Sequence, residues 1–157
     1  MSFFRNIISG GAAIDPNKIR EMEGKLAAIE KSQASIEFKP DGTIVTANQN
    51  FLDVMGYSLE EIQGQHHSIF VSPQYSKTPE YAAFWNSLAR GDYQTAEFER
   101  FNKVGESIWI QATYNPIFDE TGKVVKVIKY AIDITEQKRR NIDFAGKVEA
   151  ISRKSWE

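Results

Sequence analysis

The residues of this chain best suited to chemistry are two adjacent histidines, His66 and His67, which are its only histidines. Neighbouring residues in a regular element point in different directions, so the pair does not easily supply two ligands to one metal ion. One imidazole alone could coordinate haem iron from one side. A histidine that forms hydrogen bonds, or that lies at the surface, is the alternative, and the residues alone leave both interpretations open.

The second candidate is Trp85, one of three tryptophans in the chain. It lies at helical spacing from other large apolar residues, namely Tyr81, Phe84 and Leu88. This spacing predicts an amphipathic helix with a wide aromatic face. On spacing alone, Trp85 is therefore a core residue of that helix.

Several function classes are not expected from the composition. The sequence has no glycine-rich phosphate loop, no nucleophile beside a recognisable base and no cluster of metal ligands, so we expect no enzyme activity. It has no cysteines, which excludes disulfides, thiolate metal sites and cysteine photochemistry. A net charge of -2 without a basic block argues against nucleic-acid binding. The apolar stretch 1–8 is too short to span a membrane, so we expect a cytoplasmic protein without a membrane span.

The pattern of capping and apolar residues predicts one domain with helical extensions. A chain of 157 residues with 41% hydrophobic content can bury a real core. The predicted elements are, in order, a helix at 15–31, two strands within 33–47, short helices at 48–56 and 58–62, a longer helix at 78–91, three strands within 92–135 and a helix from 136. The first helix carries an apolar a/d seam, which fits either one amphipathic helix or a piece of coiled coil; its members are Ile19, Met22, Leu26 and Ile29.

The stretch 103–135 predicts a long hairpin at the centre of the sheet. Its second strand is apolar at both parities, with Val124, Ile128, Tyr130 and Ile132 on one face and Val125, Val127 and Ala131 on the other. In a strand buried on one side, apolar and polar residues would alternate, so we expect this strand to be covered on both sides. In the first strand the shared parity of Ile108, Ile110, Ala112 and Tyr114 predicts a largely apolar inner wall.

The order of these elements resembles the PAS sensory domain over about residues 30–137. The matching motifs are the segment 50–64, Phe84-Trp85 with Leu88 and Gly91, the segment 109–116 and the closing segment 133–135. Within that family the chain is most similar to the PAS domains of cytoplasmic chemoreceptors, including aerotaxis-type transducers. The resemblance implies an α+β fold, with a five-stranded antiparallel sheet, short helices and a pocket on one face, and an N-terminal helix packed on the outer face.

The resemblance also implies where a cofactor would lie. His67 falls where light-sensing PAS domains carry their reactive cysteine, and some chemoreceptor PAS domains ligate haem through a histidine of this segment. His67 or His66 is therefore the candidate ligand if haem b is bound, whereas Trp85 matches a tryptophan that lies near the flavin of aerotaxis PAS domains. The remaining candidate cofactor-binding residues are Ile110, Ala112, Tyr114, Asn115 and Tyr130.

Two positions of the resemblance argue against a flavin. Light-sensing flavin PAS domains carry an asparagine and a glutamine where this chain has Ile110 and Ala131. An apolar wall with one histidine suits haem better, and it equally suits a filled core. FAD, haem b and no cofactor at all remain open at this point.

The function implied is that of a sensory input domain of a chemotaxis or aerotaxis transducer. It would sense redox state, oxygen or a small ligand and pass a signal through Asp133 and Thr135 into the terminal helices. The alternative is a cofactor-free module for dimerisation or protein interaction. The expected partners are a small molecule, a second copy of the chain and a downstream signalling region.

The domain boundaries follow from the same alignment of elements. We expect a flexible N-terminus at 1–14, a cap or linker helix at 15–31, the PAS domain at 32–136 and a linker helix at 137–157. Segment 146–153 echoes segment 24–31, which predicts a further PAS domain or a signalling region after the linker helix. Chance similarity of short amphipathic helices is the alternative.

Overall fold

The structure, a computed structural model, describes residues 13–154. The N-terminus predicted to be flexible thus lies almost wholly outside the described residues. The helices are α1 (Pro16–Ser32), α2 (Gln49–Met55), α3 (Leu59–Ile62), a 3-10 helix (His67–Phe70), α4 (Pro73–Ser76), α5 (Pro79–Arg90) and α6 (Thr135–Lys154). The strands are β1 (Ala34–Phe38), β2 (Ile44–Ala47), β3 (Gln94–Phe101), β4 (Ser107–Phe118) and β5 (Val124–Asp133).

The five strands form one antiparallel sheet in the order β2-β1-β5-β4-β3. The predicted hairpin of β4 and β5 lies at its centre, and β5 pairs with β1 from the first hairpin. The predicted α+β fold with a five-stranded antiparallel sheet is confirmed. β2 and β3 are the edge strands.

The helix boundaries follow the capping residues of the sequence. Asp15 and Thr78 each accept a hydrogen bond from the first turn of their helix, and a proline follows each of them. Ser58 and Glu61 form the predicted capping box of α3. Gly91 ends α5 at a φ of 104°, and a Cβ there would lie 2.8 Å from the Phe118 ring. Only glycine fits this turn without strain, so the link from α5 into β3 is fixed.

The core lies between the helices and one face of the sheet. This face carries Ile36 and Phe38 from β1, Tyr114 from β4 and Val127 from β5, all fully buried. Helix α5 adds its predicted aromatic face. Burial of this apolar surface drives folding, and it brings the helices over the centre of the sheet.

The prediction that an N-terminal helix covers the outer face of the sheet is wrong for the described residues. No residue of α1 is buried, and Val125 and Ile132 on β5 remain 47% and 53% exposed. Among the described residues, helix α1 is held near its C-terminal end, where the Glu30 carboxylate accepts hydrogen bonds from Ser35 Oγ at 2.7 Å and from Asn48 Nδ2 at 2.9 Å. The helix therefore extends away from the sheet instead of packing on it.

Candidate functional site

His67 lies at the centre of the core, with no exposed surface. Its Nδ1 is 2.8 Å from the Tyr81 hydroxyl, and its Nε2 is 3.0 Å from the Tyr114 hydroxyl. One imidazole thus connects three elements, which are the N-terminus of the 3-10 helix, the first turn of α5 and the middle of β4. Both ring nitrogens are engaged in hydrogen bonds.

His67 is a neutral imidazole in this setting. Burial lowers the pKa of His67 well below its ordinary value of 6.5, and the positive charges of Arg100 and Lys129 lower the pKa further. Burial likewise raises the pKa of Tyr81 to about 12. The two phenols are therefore protonated, and each can donate to or accept from the ring.

Arg100 favours one direction for these hydrogen bonds, in which the Nδ1–H tautomer of His67 is present. Its Nη2 donates to the Tyr114 oxygen at 3.2 Å, so the Tyr114 O–H is free to donate to Nε2 of His67. The His67 Nδ1–H then donates to the Tyr81 oxygen. Arg100, Tyr114, His67 and Tyr81 form a continuous buried hydrogen-bond chain, which we call the core polar chain. Such a network rigidifies a core when its members are satisfied.

Two buried donors near the ends of the core polar chain have no acceptor among residues 13–154. Nε of Arg100 is buried without a hydrogen bond. The Trp85 indole N–H is also buried without a hydrogen bond of normal geometry. It lies close to the Tyr81 hydroxyl, where it lowers the pKa of Tyr81 against the larger, opposite effect of burial. An unsatisfied buried donor carries a desolvation cost of about 1–3 kcal/mol.

Lys129 is the second buried cation, with 1% of its surface exposed. Its Nζ lies 5.0 Å from the centre of the Tyr114 ring and 5.5 Å from that of Phe51. No carboxylate among residues 13–154 pairs with Lys129 or with Arg100. Burial lowers the pKa of Lys129 well below its ordinary value, and the charge of Arg100 lowers it further.

His66 has a structural role. Its Nε2–H donates to the Asp41 carbonyl at 2.8 Å, and its Nδ1 accepts from the Ser68 amide at 3.0 Å, which caps the 3-10 helix. These two bonds fix the ring against the first hairpin. Of the two predicted histidines, only His67 reaches the interior.

The structure places three of the predicted pocket residues on the inner wall and two elsewhere. Ile110, Ala112 and Tyr114 are buried there, as predicted. Asn115 and Tyr130 lie on the outer face and are half-buried, so their assignment to the pocket is wrong. The physical reason is that successive side chains of a strand point to opposite faces of the sheet. Tyr114 and Lys129 point inward, so their neighbours Asn115 and Tyr130 point outward. Asn115 Nδ2 instead donates to the Ile128 carbonyl at 3.2 Å.

Haem does not fit this arrangement. Each His67 nitrogen is occupied by a tyrosine hydroxyl, and the rings of Phe38 and Trp85 lie 5.4 and 5.2 Å from the imidazole, centre to centre. A coordinating nitrogen would first have to lose a buried hydrogen bond. The space beside the imidazole is filled by aromatic side chains.

A flavin does not fit either. Trp85 is 6% exposed and packs edge-to-face on Phe38, with ring centres 5.2 Å apart, as expected of a core residue. The inner wall presents Ile110 and Ala131, both buried, where an isoalloxazine edge needs hydrogen-bonding partners. The residues of this interior therefore fit neither cofactor.

A separate cavity of about 400 Å³ lies beside the edge strand β3. Its walls come from the segment around α4, from β3 and from β4: Val71, Ser72, Tyr75, Glu97, Phe98, Glu99, Arg100, Phe101 and Trp109. We call it the β3 cavity. It reaches the Arg100 end of the core polar chain, and it is the site that the sequence did not indicate.

The β3 cavity also borders the start of α6. The Trp109 amide donates to Thr135 Oγ1 at 3.0 Å, and the Ile134 amide donates to the Trp109 carbonyl at 2.8 Å. Lys138 lies over the Trp109 ring and forms an ion pair with Glu97. Thr135 Oγ1 in turn donates to Asp133 at 2.5 Å. The predicted signalling residues Asp133 and Thr135 thus join β4 to α6, and we call this group the exit joint.

Sequence reasoning missed Arg100 and Lys129. The parity of β5 could have identified Lys129, because it lies between Val127 and Ala131 on the face that both bury. No local signal could have identified the core polar chain, since His67 contacts Tyr81 and Tyr114 at separations of 14 and 47 residues. Among residues 13–154 there is no group of three or more potential metal ligands. Within the same part of the chain, no helix is long and apolar enough to cross a membrane.

Comparison with known proteins identifies the family. A sequence model of the PAS fold family matches residues 44–131, more than half of the chain, and the chain belongs to this family. Biofilm dispersion protein BdlA of Pseudomonas aeruginosa is 43% identical over 120 residues, which are 76% of this chain and 29% of that protein. The aerotaxis receptor of Escherichia coli is 33% identical over 81 residues, which are 52% of this chain and 16% of the receptor.

Solved structures agree on the fold. An RNA-binding light-oxygen-voltage receptor superposes with a TM-score of 0.66 at 24% identity, over 90% of this chain and 41% of the receptor chain. The chain spans less than a third of the length of the two curated relatives named above. It is a PAS sensory domain related to chemoreceptor-type proteins, and the predicted resemblance to aerotaxis-type PAS domains is confirmed.

Proposed function

We propose that this chain is the sensory input module of a chemotaxis or aerotaxis type of transducer in the cytoplasm. In this proposal a small molecule held by the PAS domain changes the packing at the exit joint, and α6 carries the change onward to a downstream signalling region. The observation that carries the proposal is the direct bonding of Trp109, a wall of the β3 cavity, to Thr135 at the start of α6. The similarity to the aerotaxis receptor supports the class of transducer.

The proposal contains no catalytic step. His67 contacts two tyrosine hydroxyls, and burial raises the pKa of both, so neither is activated as a nucleophile. The ligand acts by changing an equilibrium between two packings of α6, and it can do so only if it binds one packing more tightly than the other.

Thr135→Val tests the exit joint. The substitution keeps the shape of the side chain but leaves the Trp109 amide without its acceptor, which corresponds to about 1–2 kcal/mol. We expect hydrogen exchange at the Ile134 and Lys138 amides to become roughly tenfold faster, while exchange in β1 stays unchanged. In a fusion of the whole chain to a kinase or chemoreceptor signalling domain, the same variant should shift the basal output.

Thr113→Val is the matched control, because Thr113 is also on β4 but its side-chain hydroxyl bonds only to Asn115 among the described residues. It should leave both readouts at the wild-type level. If Thr135→Val also left exchange and output unchanged, the exit joint would not be the route of the signal.

Self-association is a second candidate function, and the helix surfaces favour it. In α1, Met22 and Leu26 are 64% and 55% exposed on one seam, and α6 exposes Phe144 and Ile151. Apolar seams of this kind are stabilised by a partner helix, so we propose that two copies pair through the terminal helices.

Leu26→Glu tests this pairing. Burying a leucine is worth about 1.5–3 kcal/mol, so the variant should weaken a dimer by about tenfold or more in sedimentation equilibrium. Arg20→Glu, on the polar side of α1, is the control and should sediment as wild type does. A chain that is monomeric at all concentrations, or a Leu26→Glu variant that still dimerises fully, would contradict pairing through α1.

A further inference from the structure

The β3 cavity has an unusual wall, because Arg100 is 4% exposed and only partly hydrogen-bonded. Its Nη1 donates to the Glu99 carbonyl at 2.9 Å and its Nη2 to the Tyr114 hydroxyl, while its Nε has no acceptor in the part of the chain that the structure describes. A guanidinium has five N–H donors in a planar fork that matches a carboxylate. Arg100 therefore has unused donor capacity at the border of a cavity.

The charges buried in the interior also favour the binding of an anion. Arg100 and Lys129 are the buried ionisable cations of residues 13–154, and no carboxylate in that part of the chain is buried with them. Both approach one side chain, since Arg100 bonds the Tyr114 hydroxyl and Lys129 lies over the Tyr114 ring. Buried cations without a counter-charge are costly, and their field attracts an anion.

Two acidic residues also border the β3 cavity, but both are exposed and have partners. Glu97 forms an ion pair with Lys138, and Glu99 accepts a hydrogen bond from Ser107 Oγ at 2.9 Å. Water and these partners offset their charges at the rim. The remaining walls are largely apolar or aromatic, with Val71, Phe98 and Trp109 among them.

We propose that the β3 cavity binds a small organic carboxylate with an apolar or aromatic body, anchored by Arg100. The carboxylate takes the free donor of the guanidinium, and the body packs on Phe98 and Val71, on the same side of the sheet as Arg100. A volume of about 400 Å³ lies within the range of small-molecule sites. The inference rests on the proposed sensory function and specifies its ligand class, because the wall of the β3 cavity continues around the edge strand to Trp109 of the exit joint.

The test is calorimetric titration of the whole chain with acetate, octanoate, phenylacetate and indole-3-acetate, each beside its neutral amide at constant ionic strength. We expect at least one carboxylate with an apolar body to bind, and its amide to bind about tenfold or more weakly, since a charge-assisted hydrogen bond is lost. Acetate should bind worst among the acids, because it lacks the body.

Two variants locate the anchor. Arg100→Met should weaken the best carboxylate about tenfold or more, and Arg100→Lys should restore part of the loss. Lys129→Met is the matched control, since it removes an equally buried cation that does not line the cavity, and it should weaken binding less than about threefold. Circular dichroism checks that each variant is folded.

The outcomes separate this inference from the proposed function. If no carboxylate binds, or if Lys129→Met abolishes binding as fully as Arg100→Met does, the assignment of the β3 cavity is overturned, and the Thr135→Val experiment still tests the exit joint. If a carboxylate binds through Arg100 without altering hydrogen exchange at Ile134, the ligand site is confirmed and signalling through the exit joint is contradicted.

Discussion

Replacing His67 by alanine should lower the free energy of unfolding by about 3–5 kcal/mol. The change leaves a cavity among packed aromatic rings, and it leaves the Tyr81 hydroxyl and one side of the Tyr114 hydroxyl without partners. His67→Gln, which retains donor and acceptor groups, should lose less than half as much. Chemical denaturation of both variants at pH 7 measures the difference. Equal losses for alanine and glutamine would mean that the hydrogen bonds contribute little.

The same residue should make stability depend on pH in a defined direction. The folded pKa of His67 is lowered below the unfolded value of 6.5, so the unfolded chain binds the proton more readily. The stabilising contribution is therefore complete above about pH 6.5 and is lost as the pH falls below it, by about 1.4 kcal/mol per pH unit. Subtracting the His67→Gln curve from the wild-type curve between pH 5 and 7.5 isolates this slope. A flat difference would show that the pKa of His67 is the same in the folded and unfolded chain.

Replacing Lys129 by methionine should increase the free energy of unfolding at pH 7 by about 1–3 kcal/mol. Methionine keeps the length and the apolar contacts of the lysine stem, and it removes a buried ammonium that has no carboxylate partner. Lys126→Met on the same strand is the matched control. Lys126 is partly exposed and pairs with Glu37 at 3.1 Å, so its loss should change stability by less than about 1 kcal/mol in the opposite direction.

Lys129 should also give the wild type a pH dependence on the alkaline side. Its folded pKa is depressed, so the folded chain releases the proton more readily than the unfolded chain does. Its contribution therefore rises as the pH approaches the unfolded value of about 10.4, and the difference between wild type and Lys129→Met should shrink from pH 7 to pH 10. A constant difference would show that the ammonium is not penalised by burial. A Lys129→Met variant less stable than wild type at pH 7 would mean that the ammonium has a stabilising partner.

Local patterns in the sequence were sufficient to predict most of the fold. Capping residues such as Ser58 and Thr78 mark helix starts, and the hairpin of β4 and β5 follows from strand periodicity and a turn ending in Gly122. These features depend on contacts within a few residues. The position of α1 depends instead on tertiary contacts, and the expected packing on the outer face is not formed in the described residues.

The candidate site was only partly predictable. His67 and Tyr114 were identified, but the core polar chain that joins them requires contacts across the whole domain. Asn115 and Tyr130 were assigned to the pocket by resemblance, although strand parity places both on the outer face. The same parity rule puts Lys129 inside, where a lysine is rare because burial penalises its charge. A buried position that conflicts with residue type is the kind of local inconsistency expected at functional sites.

The most direct test of the account is an absorption spectrum of the whole chain, purified from cells supplied with a haem precursor and riboflavin. The interior is filled by its own side chains, and we propose that the molecule sensed is a small ligand, so we expect absorption near 280 nm only. Addition of haemin or FAD followed by gel filtration checks for loss during purification, and the same spectrum should return. A Soret band that disappears in His67→Ala, or a flavin doublet that disappears in Trp85→Ala, would contradict the account.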